Sequence, residues 1–130
     1  MQKVKDTDAM IAGMAPVLDT AQYHFCVVPD ETLAGQALAM FREDEGLTLI
    51  LRDDVAKTHG LSTDMPMARI ILMVHSALDG VGLTAAVASG LAEAGIPCNM
   101  VAAYHHDHAF VPVADATRAL AVLKALSGDQ

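Results

Sequence analysis

The sequence is poor in aromatic and basic residues, and both shortages narrow the range of functions. Tryptophan is absent, and Phe, Tyr and Trp together make up 4% of the 130 residues. Eight Lys and Arg residues stand against sixteen Asp and Glu residues, which gives a net charge of −8 at pH 7. Because phosphate binding needs clustered Lys and Arg, we expect no nucleic-acid partner. An anionic membrane surface is equally unfavourable for so acidic a chain.

Cysteines and long apolar segments are also scarce. Cys26 and Cys98 are the only cysteines, and no CxxC spacing is present. This pattern favours two reduced, buried thiols in a cytoplasmic protein. No apolar run approaches the roughly 20 residues of a membrane-spanning helix, and the charged N-terminus does not look like a signal peptide. We therefore expect a cytoplasmic location.

Apolar residues, in contrast, are abundant. They make up 53% of the chain, and the mean hydropathy is +0.36. This is enough to build a hydrophobic core, which argues against a disordered chain. Large apolar faces rarely stay exposed to water, so the surplus predicts a face buried against a second subunit or between domains. We expect a homodimer.

Hydrophobic periodicity and turn residues predict an α+β fold. Glu31–Glu45 stays ambiguous, because Leu33, Ala37 and Phe41 fit a helix whereas Ala37–Glu43 fits a strand. Asp53 or Asp54 is the expected N-cap of the second helix, and Asp115 that of the last. The predicted helices are Ala9–Leu18, residues 53–59, Val81–Ala94 and Ala116–Leu126. The predicted strands are Tyr23–Val28, Leu47–Leu51, Ala68–His75, Asn99–Tyr104 and Ala109–Val113.

The order of these elements predicts two related halves, residues 1–66 and 67–130. From Ala68 onward the order is β-α-β-β-α, which matches a ferredoxin-like βαββαβ fold without its last strand. Tyr23–Val28 is a candidate for that missing strand. In such a fold the sheet is antiparallel and the helices cover one face, so the opposite face needs a partner. Gly82 and Gly90 would let the third helix lie close to the sheet.

The segment from Ser76 to Thr84 is the main candidate for a binding site. Gly80 and Gly82 flank Val81 just before a helix, where free amide groups and the helix dipole favour a carboxylate or a phosphate. Ordinary turn glycines are the alternative interpretation. The Thr84 hydroxyl offers a further hydrogen bond, either to a ligand or to the local backbone.

Other polar residues near this segment have competing interpretations. The Asp79 carboxylate is suited to bind the amino group of a ligand, although a role as the cap of the helix that follows is favoured. Asn99 offers both a donor and an acceptor to a ligand, or it simply marks the edge of a turn. His75 and Ser76 do not predict a hydrolase, because neighbouring residues on a strand point to opposite faces and no GxSxG motif surrounds them. We therefore expect no enzyme activity.

The tip of the last predicted hairpin contains a cluster of histidines. His105, His106, Asp107 and His108 provide three imidazoles and one carboxylate, which suit Zn²⁺, Ni²⁺ or Cu²⁺. A turn at this point would scatter the side chains, and no residue nearby offers clear support for a metal site. A polar hairpin tip or a pH-sensitive contact explains the same residues without a metal. No cofactor is predicted.

Two segments resemble a known family. Asp79–Val87 and Leu91–Ile96, read as DGVGLTAAV and LAEAGI, are similar to the ACT domain, particularly to the regulatory domains of aspartate kinases. Over roughly residues 10 to 126, the chain resembles small stand-alone bacterial ACT-domain proteins. By this resemblance residues 67–130 form an ACT domain and residues 1–66 a degenerate ACT-like half.

The resemblance implies a regulatory module that binds a small molecule. ACT domains usually pair side by side and bind an amino acid where they meet. In this chain, the implied contacts are the loop Ser76–Leu83 and the second strand at Cys98–Met100. The expected ligand residues are Ser76, Asp79, Gly80, Val81, Gly82, Leu83, Thr84 and Asn99. A metal-binding or purely structural oligomerisation module that uses the hairpin tip is the alternative.

Overall fold

A computed structural model of the chain describes residues 7–73 and 82–128. The helices in these two segments are α1 (Thr7–Gly13), α2 (Asp53–Thr58), α3 (Leu83–Glu93) and α4 (Ala116–Leu126). The strands are β1 (Pro16–Val28), β2 (Ala39–Glu43), β3 (Gly46–Arg52), β4 (Met67–Leu72), β5 (Asn99–Ala102) and β6 (Asp107–Pro112). None of the described helices is long and apolar enough to cross a membrane.

The described residues form two compact units. One unit consists of Thr20–Met67, and we call it the inner unit because it lies between the two parts of the other along the sequence. The outer unit consists of the described residues up to Asp19 and from Ala68 onward. The boundary lies inside β1. The predicted halves, residues 1–66 and 67–130, differ from these units in the placement of the residues before Thr20. The physical reason is that Met10 and Met14 are buried in the core of the outer unit.

The outer unit has the strand order β1-β4-β6-β5, in which β5 and β6 pair antiparallel. Alternate residues of β4 and β6 join residues of α1, α3 and α4 in one core, which includes Ile70, Leu91, Val111 and Leu123. This is the strand order of a ferredoxin-like fold in which another strand replaces the last one. That strand is the start of β1, since the Met73 amide donates to the Ala15 carbonyl at 3.0 Å. The predicted donor, Tyr23–Val28, was therefore wrong.

The inner unit has the strand order β2-β3-β1, with both pairs antiparallel. One short helix, α2, covers one face of these strands, where its Ala56 is buried. The core consists of Cys26, Val28, Leu47, Leu49, Leu51 and Ala56. The helix expected between the first two strands of a ferredoxin-like half is reduced here to a 3₁₀ turn, Ala34–Gln36.

The predicted first helix, Ala9–Leu18, was too long. Helix α1 ends at Gly13, and β1 begins at Pro16. Proline cannot donate the backbone hydrogen bond that a helix interior needs, but it is tolerated at the first residue of a strand. Leu18, Asp19 and Thr20 consequently lie within β1.

The ambiguous segment Glu31–Glu45 contains a strand rather than a helix. Strand β2 pairs with β3 along its whole length, from Ala39 opposite Ile50 to Glu43 opposite Gly46. The Leu38 amide extends the pairing by donating to the Ile50 carbonyl at 2.8 Å. Backbone pairing with a neighbouring strand has thus overridden the helical spacing of Leu33, Ala37 and Phe41.

The predicted aspartate caps are not made. Arg52 is the N-cap of α2 and has no side-chain capping bond. Asp115 does occupy the N-cap of α4, but its carboxylate accepts a hydrogen bond from Arg118 at 3.1 Å instead. Helix α4 has the predicted bounds, and Gly95 follows α3 with a φ of +74°, as expected of a helix stop.

Gly90 lies against another helix and not against the sheet. A Cβ atom at this position would lie 2.8 Å from Cδ1 of Leu126 on α4. The predicted close approach of α3 is therefore real at Gly90, but its partner is α4. The sequence could not distinguish these two neighbours, because a glycine shows only that space is short.

Candidate functional site

The start of α3 has the geometry that the glycine-rich sequence predicts. Gly82 is the N-cap residue, and its φ of +102° is a conformation that favours glycine. Its carbonyl accepts the first helical hydrogen bond from the Ala86 amide at 2.8 Å. Gly82 has no side chain with which to cap the helix, and the first turn contains no acidic residue. The positive end of the helix dipole is therefore not neutralised by a carboxylate of its first turn.

The predicted ligand residues around this helix differ in accessibility. Leu83 is buried in the outer core, so only its backbone remains available to a ligand. Thr84 is exposed on the first turn. Asn99 is exposed at the first residue of β5, opposite Phe110. Three of these positions, Gly82, Thr84 and Asn99, thus present backbone or side-chain polar groups that a ligand can reach.

The remaining predicted ligand residues, Ser76, Asp79, Gly80 and Val81, lie outside the described residues, as does His75. Their roles stay predictions. Cys98, just before β5, is partly buried, and burial raises the pKa of its thiol. A thiol with a raised pKa is a poor nucleophile at neutral pH.

The predicted histidine tip is divided between a turn and a strand. The turn closes where the Ala103 amide donates to the His106 carbonyl at 3.1 Å, and β6 already begins at Asp107. Asp107 and His108 are neighbours on this strand, so they point to opposite faces. Among the described residues, no three His, Cys, Asp or Glu side chains are grouped so that they could hold a metal ion. The geometry therefore gives the metal-binding alternative no support.

The tip residues are nevertheless unusual in their burial. The Nδ1 atoms of His106 and His108 are buried and have no hydrogen-bond partner among the residues that the structure describes. Burial lowers the pKa of His108, and the positive charges of Arg69 and His106 lower it further. Burial raises the pKa of Asp107, and His106 partly opposes this shift. A proton on His108 would thus be unfavourable in the folded protein.

Arg69 and Asp19 form an ion pair in the outer unit that the sequence did not reveal. Arg69 donates from Nε at 3.0 Å and from Nη2 at 2.7 Å to Oδ2 of Asp19. The two residues are fifty positions apart. No local motif could have identified the pair before the course of β1 was known.

A second polar network, also missed by the sequence, lies in the inner unit. Buried His24 donates from Nε2 to Oδ1 of Asp53 at 2.6 Å, and Lys57 approaches Oδ2 of Asp53 at 2.9 Å. The bonds from His24 and Lys57 lower the pKa of Asp53. An open polar cleft of about 350 Å³ adjoins this network and is lined by Thr20, Ala21, Gln22, Arg52, Asp53 and Asp54. His24 alternates with Cys26 on β1, which was the only sequence signal of its burial.

Comparison with known proteins identifies the family. Two models of the ACT domain match the chain in tandem, over residues 3–68 and 68–125. The chain belongs to the ACT-domain family. Together the two matches cover most of the sequence, which confirms the resemblance found in the sequence and the ferredoxin-like fold. ACT domains are regulatory, small-molecule-binding domains and not catalytic ones.

Solved structures agree with this assignment. A Vibrio cholerae protein of unknown function, described as a possible transport protein, is 40% identical, with 92% of this chain and 94% of that chain covered and a TM-score of 0.83. The regulatory subunit of aspartate kinase from Thermus flavus shares the fold at 15% identity, with coverages of 88% and 96% and a TM-score of 0.59. A protein from Agrobacterium tumefaciens shares it at 18% identity, with coverages of 88% and 89% and a TM-score of 0.67. No functionally curated protein matches the chain in sequence.

Proposed function

We propose that this ACT-domain protein is a non-catalytic regulatory module that binds a free amino acid as a homodimer in the cytoplasm. The proposed site consists of the segment Ser76–Thr84 and Asn99. The observation that carries the proposal is the start of α3 at the positive-φ Gly82, with no acidic residue in its first turn, within the segment that matches an ACT domain. The two free cysteines support a reducing compartment.

The chemistry of the α3 start fits a carboxylate better than a neutral group. The amides of Leu83, Thr84 and Ala85 belong to the first turn, where helices lack internal partners for their N–H groups. A carboxylate placed there accepts these hydrogen bonds and interacts favourably with the helix dipole. The exposed Thr84 hydroxyl and the exposed Asn99 amide are suited to the other polar groups of an amino acid.

A thermal-shift screen of the twenty standard amino acids tests this function. A ligand present at one hundred times its Kd stabilises the folded state by about 2.7 kcal/mol, which a melting curve resolves. We expect one amino acid or a few related ones to raise the melting temperature. If none does so at millimolar concentration, the proposed function is wrong.

The variant Ala85→Glu locates the site without weakening the helix. Ala85 is exposed in the first turn of α3, where an acidic side chain stabilises a helix by about 0.3–1 kcal/mol. The same charge repels a ligand carboxylate, so we expect tighter folding together with loss of the ligand-induced shift. Ala85→Gln has nearly the same size without the charge, and it should retain most of the shift.

A glycine pair provides a second control for the same site. Gly82 and Gly95 both have a positive φ and lie at opposite ends of α3, and a Cβ at Gly95 would meet no atom within 4 Å. Alanine at either position forces a conformation that costs roughly 1 kcal/mol. Only Gly82→Ala should also reduce ligand affinity. Equal affinity losses in the two variants would show that strain, and not the site, is responsible.

The alternative of a metal-binding module is tested in the same screen. Zn²⁺ and Ni²⁺ are added with and without a chelator, and His106→Ala and His108→Ala are compared with the unchanged protein. The proposed function predicts that these two variants keep the amino-acid response. A chelator-sensitive shift with metal alone would favour the alternative instead.

A further inference from the structure

The inner unit contains a polar cleft that the proposed function does not use. The cleft has a volume of about 350 Å³ and is lined by Thr20, Ala21, Gln22, Arg52, Asp53 and Asp54. All six residues belong to the inner unit, whereas Gly82, Thr84 and Asn99 of the proposed amino-acid site belong to the outer unit. A ligand in the cleft would therefore occupy a second site with its own residues.

The cleft exists because β1 extends beyond the end of β3. The pairing of these two strands ends at Arg52, and the chain then continues into α2 at Asp53. Thr20 and Gln22 lie on the part of β1 that β3 does not pair with, and both are exposed. Their side chains share a face with that of buried His24, because side chains alternate along a strand. The cleft thus lies between this face of β1 and the start of α2.

Asp53 provides a hydrogen-bond acceptor that is fixed in position. Buried His24 donates to its Oδ1 at 2.6 Å, and Nζ of Lys57 lies 2.9 Å from its Oδ2. A carboxylate has about four lone-pair sites, so these two partners leave further sites for a ligand. The side chain of Asp53 is 28% exposed, which keeps these sites within reach.

The other polar side chains of the cleft have unused hydrogen-bonding groups. Within the part of the chain that the structure describes, the Thr20 hydroxyl and the Gln22 amide have no hydrogen-bond partner. Nε of Arg52 lies 3.5 Å from Oδ1 of Asp54. The Nη groups of Arg52 and Oδ2 of Asp54 stay available to a ligand. Donors and acceptors are therefore both present in the cleft.

The charges around the cleft compensate one another. Two cations, Arg52 and Lys57, stand against two anions, Asp53 and Asp54, and each cation is paired with one of the anions. A charged ligand would be attracted by one member of each pair and repelled by the other. The side chains of Arg52 and Asp54 are also 60% and 71% exposed, so water weakens any attraction to their charges. The cleft consequently favours an uncharged ligand.

We propose that the polar cleft binds a small uncharged polyhydroxy compound, such as a cyclic polyol or a monosaccharide. Each hydroxyl group of such a compound both donates and accepts a hydrogen bond, as the mixed lining of the cleft requires. None of the six described lining residues is aromatic, so hydrogen bonds rather than stacking hold the ligand. The volume lies near the lower end of the range of about 300–1,000 Å³ for ligand pockets, which suits a single sugar ring.

An NMR titration of the ¹⁵N-labelled protein tests this proposal. The probes are myo-inositol and glucose, and the side-chain amide of Gln22 reports binding. We expect a saturable shift of this amide with at least one of the two compounds. Putrescine, acetate and glycine are positive, negative and zwitterionic, and at the same concentration they should leave the amide unshifted. No shift with either polyhydroxy compound, or a shift with a charged compound alone, would overturn the proposal.

Matched variants locate the binding in the cleft, with the backbone amide of Asp53 as the reporter. Gln22→Ala and Asp54→Asn should each weaken binding of the polyhydroxy compound by roughly threefold to tenfold, the value of one hydrogen bond. The controls Gln36→Ala and Asp44→Asn make the same changes at exposed positions of the inner unit outside the cleft, and should leave the affinity unchanged. Equal affinities in all four folded variants would show that the compound binds elsewhere and would overturn the proposal.

Discussion

The two units bury the faces of their β-strands to different extents. In the outer unit, three helices and alternate strand residues share one core, to which fourteen described residues contribute. In the inner unit, one short helix covers a core of six residues, and the opposite face keeps Val27 and Phe41 exposed. The difference indicates that the outer unit has the larger and more completely enclosed core.

The largest expected effect comes from truncating a core side chain in each unit. Leu91 of the outer core and Leu49 of the inner core are both fully buried. A buried leucine changed to alanine costs about 2–5 kcal/mol, and the loss is larger where the surroundings cannot collapse into the cavity. We expect Leu91→Ala to lie near the top of this range and Leu49→Ala nearer the bottom, measured by urea unfolding. A larger loss of stability in Leu49→Ala than in Leu91→Ala would contradict this difference between the two cores.

An effect of about 1 kcal/mol is expected at the contact between α3 and α4. Alanine is favoured over glycine inside a helix by about 0.8–1 kcal/mol, but at Gly90 the new methyl group would press on Leu126. The end of Leu126 is partly exposed and can move, so Gly90→Ala alone should change stability little. In a Leu126→Ala background the same substitution should stabilise the protein by nearly the full amount. If Gly90→Ala is equally neutral in both backgrounds, the contact with Leu126 does not limit the packing.

The smallest expected effect distinguishes the partly buried His108 of the outer unit from Asp53 of the inner unit by pH. The pKa of His108 lies below its usual 6.5, so its contribution to stability is complete above pH 6.5 and is lost as the pH falls below it. In the inner unit the lowered pKa belongs to Asp53, whose contribution is complete above pH 3.8 and is lost only as the pH falls further. Between pH 7 and 5 the protonation of His108 should therefore weaken the outer unit, although Asp107, whose raised pKa favours the folded state as the pH falls, opposes this effect.

Urea unfolding at pH 7 and pH 5 measures this difference. His108→Gln should lose less stability than the unchanged protein when the pH is lowered. His59→Gln replaces an exposed histidine at the end of α2 and should behave like the unchanged protein. A His108→Gln variant that loses as much stability as the unchanged protein would show that His108 does not cause the pH dependence.

The sequence predicted the parts of the fold that depend on local patterns. Helix α4 has the predicted bounds, and the strand over Leu47–Leu51 was also correct. Each of these depends on periodicity or on a backbone conformation that neighbouring residues determine. The resemblance to the ACT domain, carried by two short motifs, identified the correct family.

The errors occur where distant residues decide the structure. The course of β1 from Pro16 depends on its pairing with strands much later in the chain, and β2 depends on its pairing with β3. The same limitation hid the polar pairs His24–Asp53 and Asp19–Arg69, whose members are 29 and 50 positions apart. The conformation of Gly82 was predictable because it follows from local sequence, whereas its role in a site stays a prediction.

The most direct test of the proposed site is an NMR titration of the ¹⁵N-labelled protein with an equimolar mixture of the twenty amino acids. The account predicts saturable shifts of the backbone amides of Leu83, Thr84 and Ala85 and of the Asn99 side chain. It also predicts that these shifts disappear in Ala85→Glu and persist in Ala85→Gln. Shifts confined to His105–His108, or none at all, would contradict an amino-acid site at the start of α3.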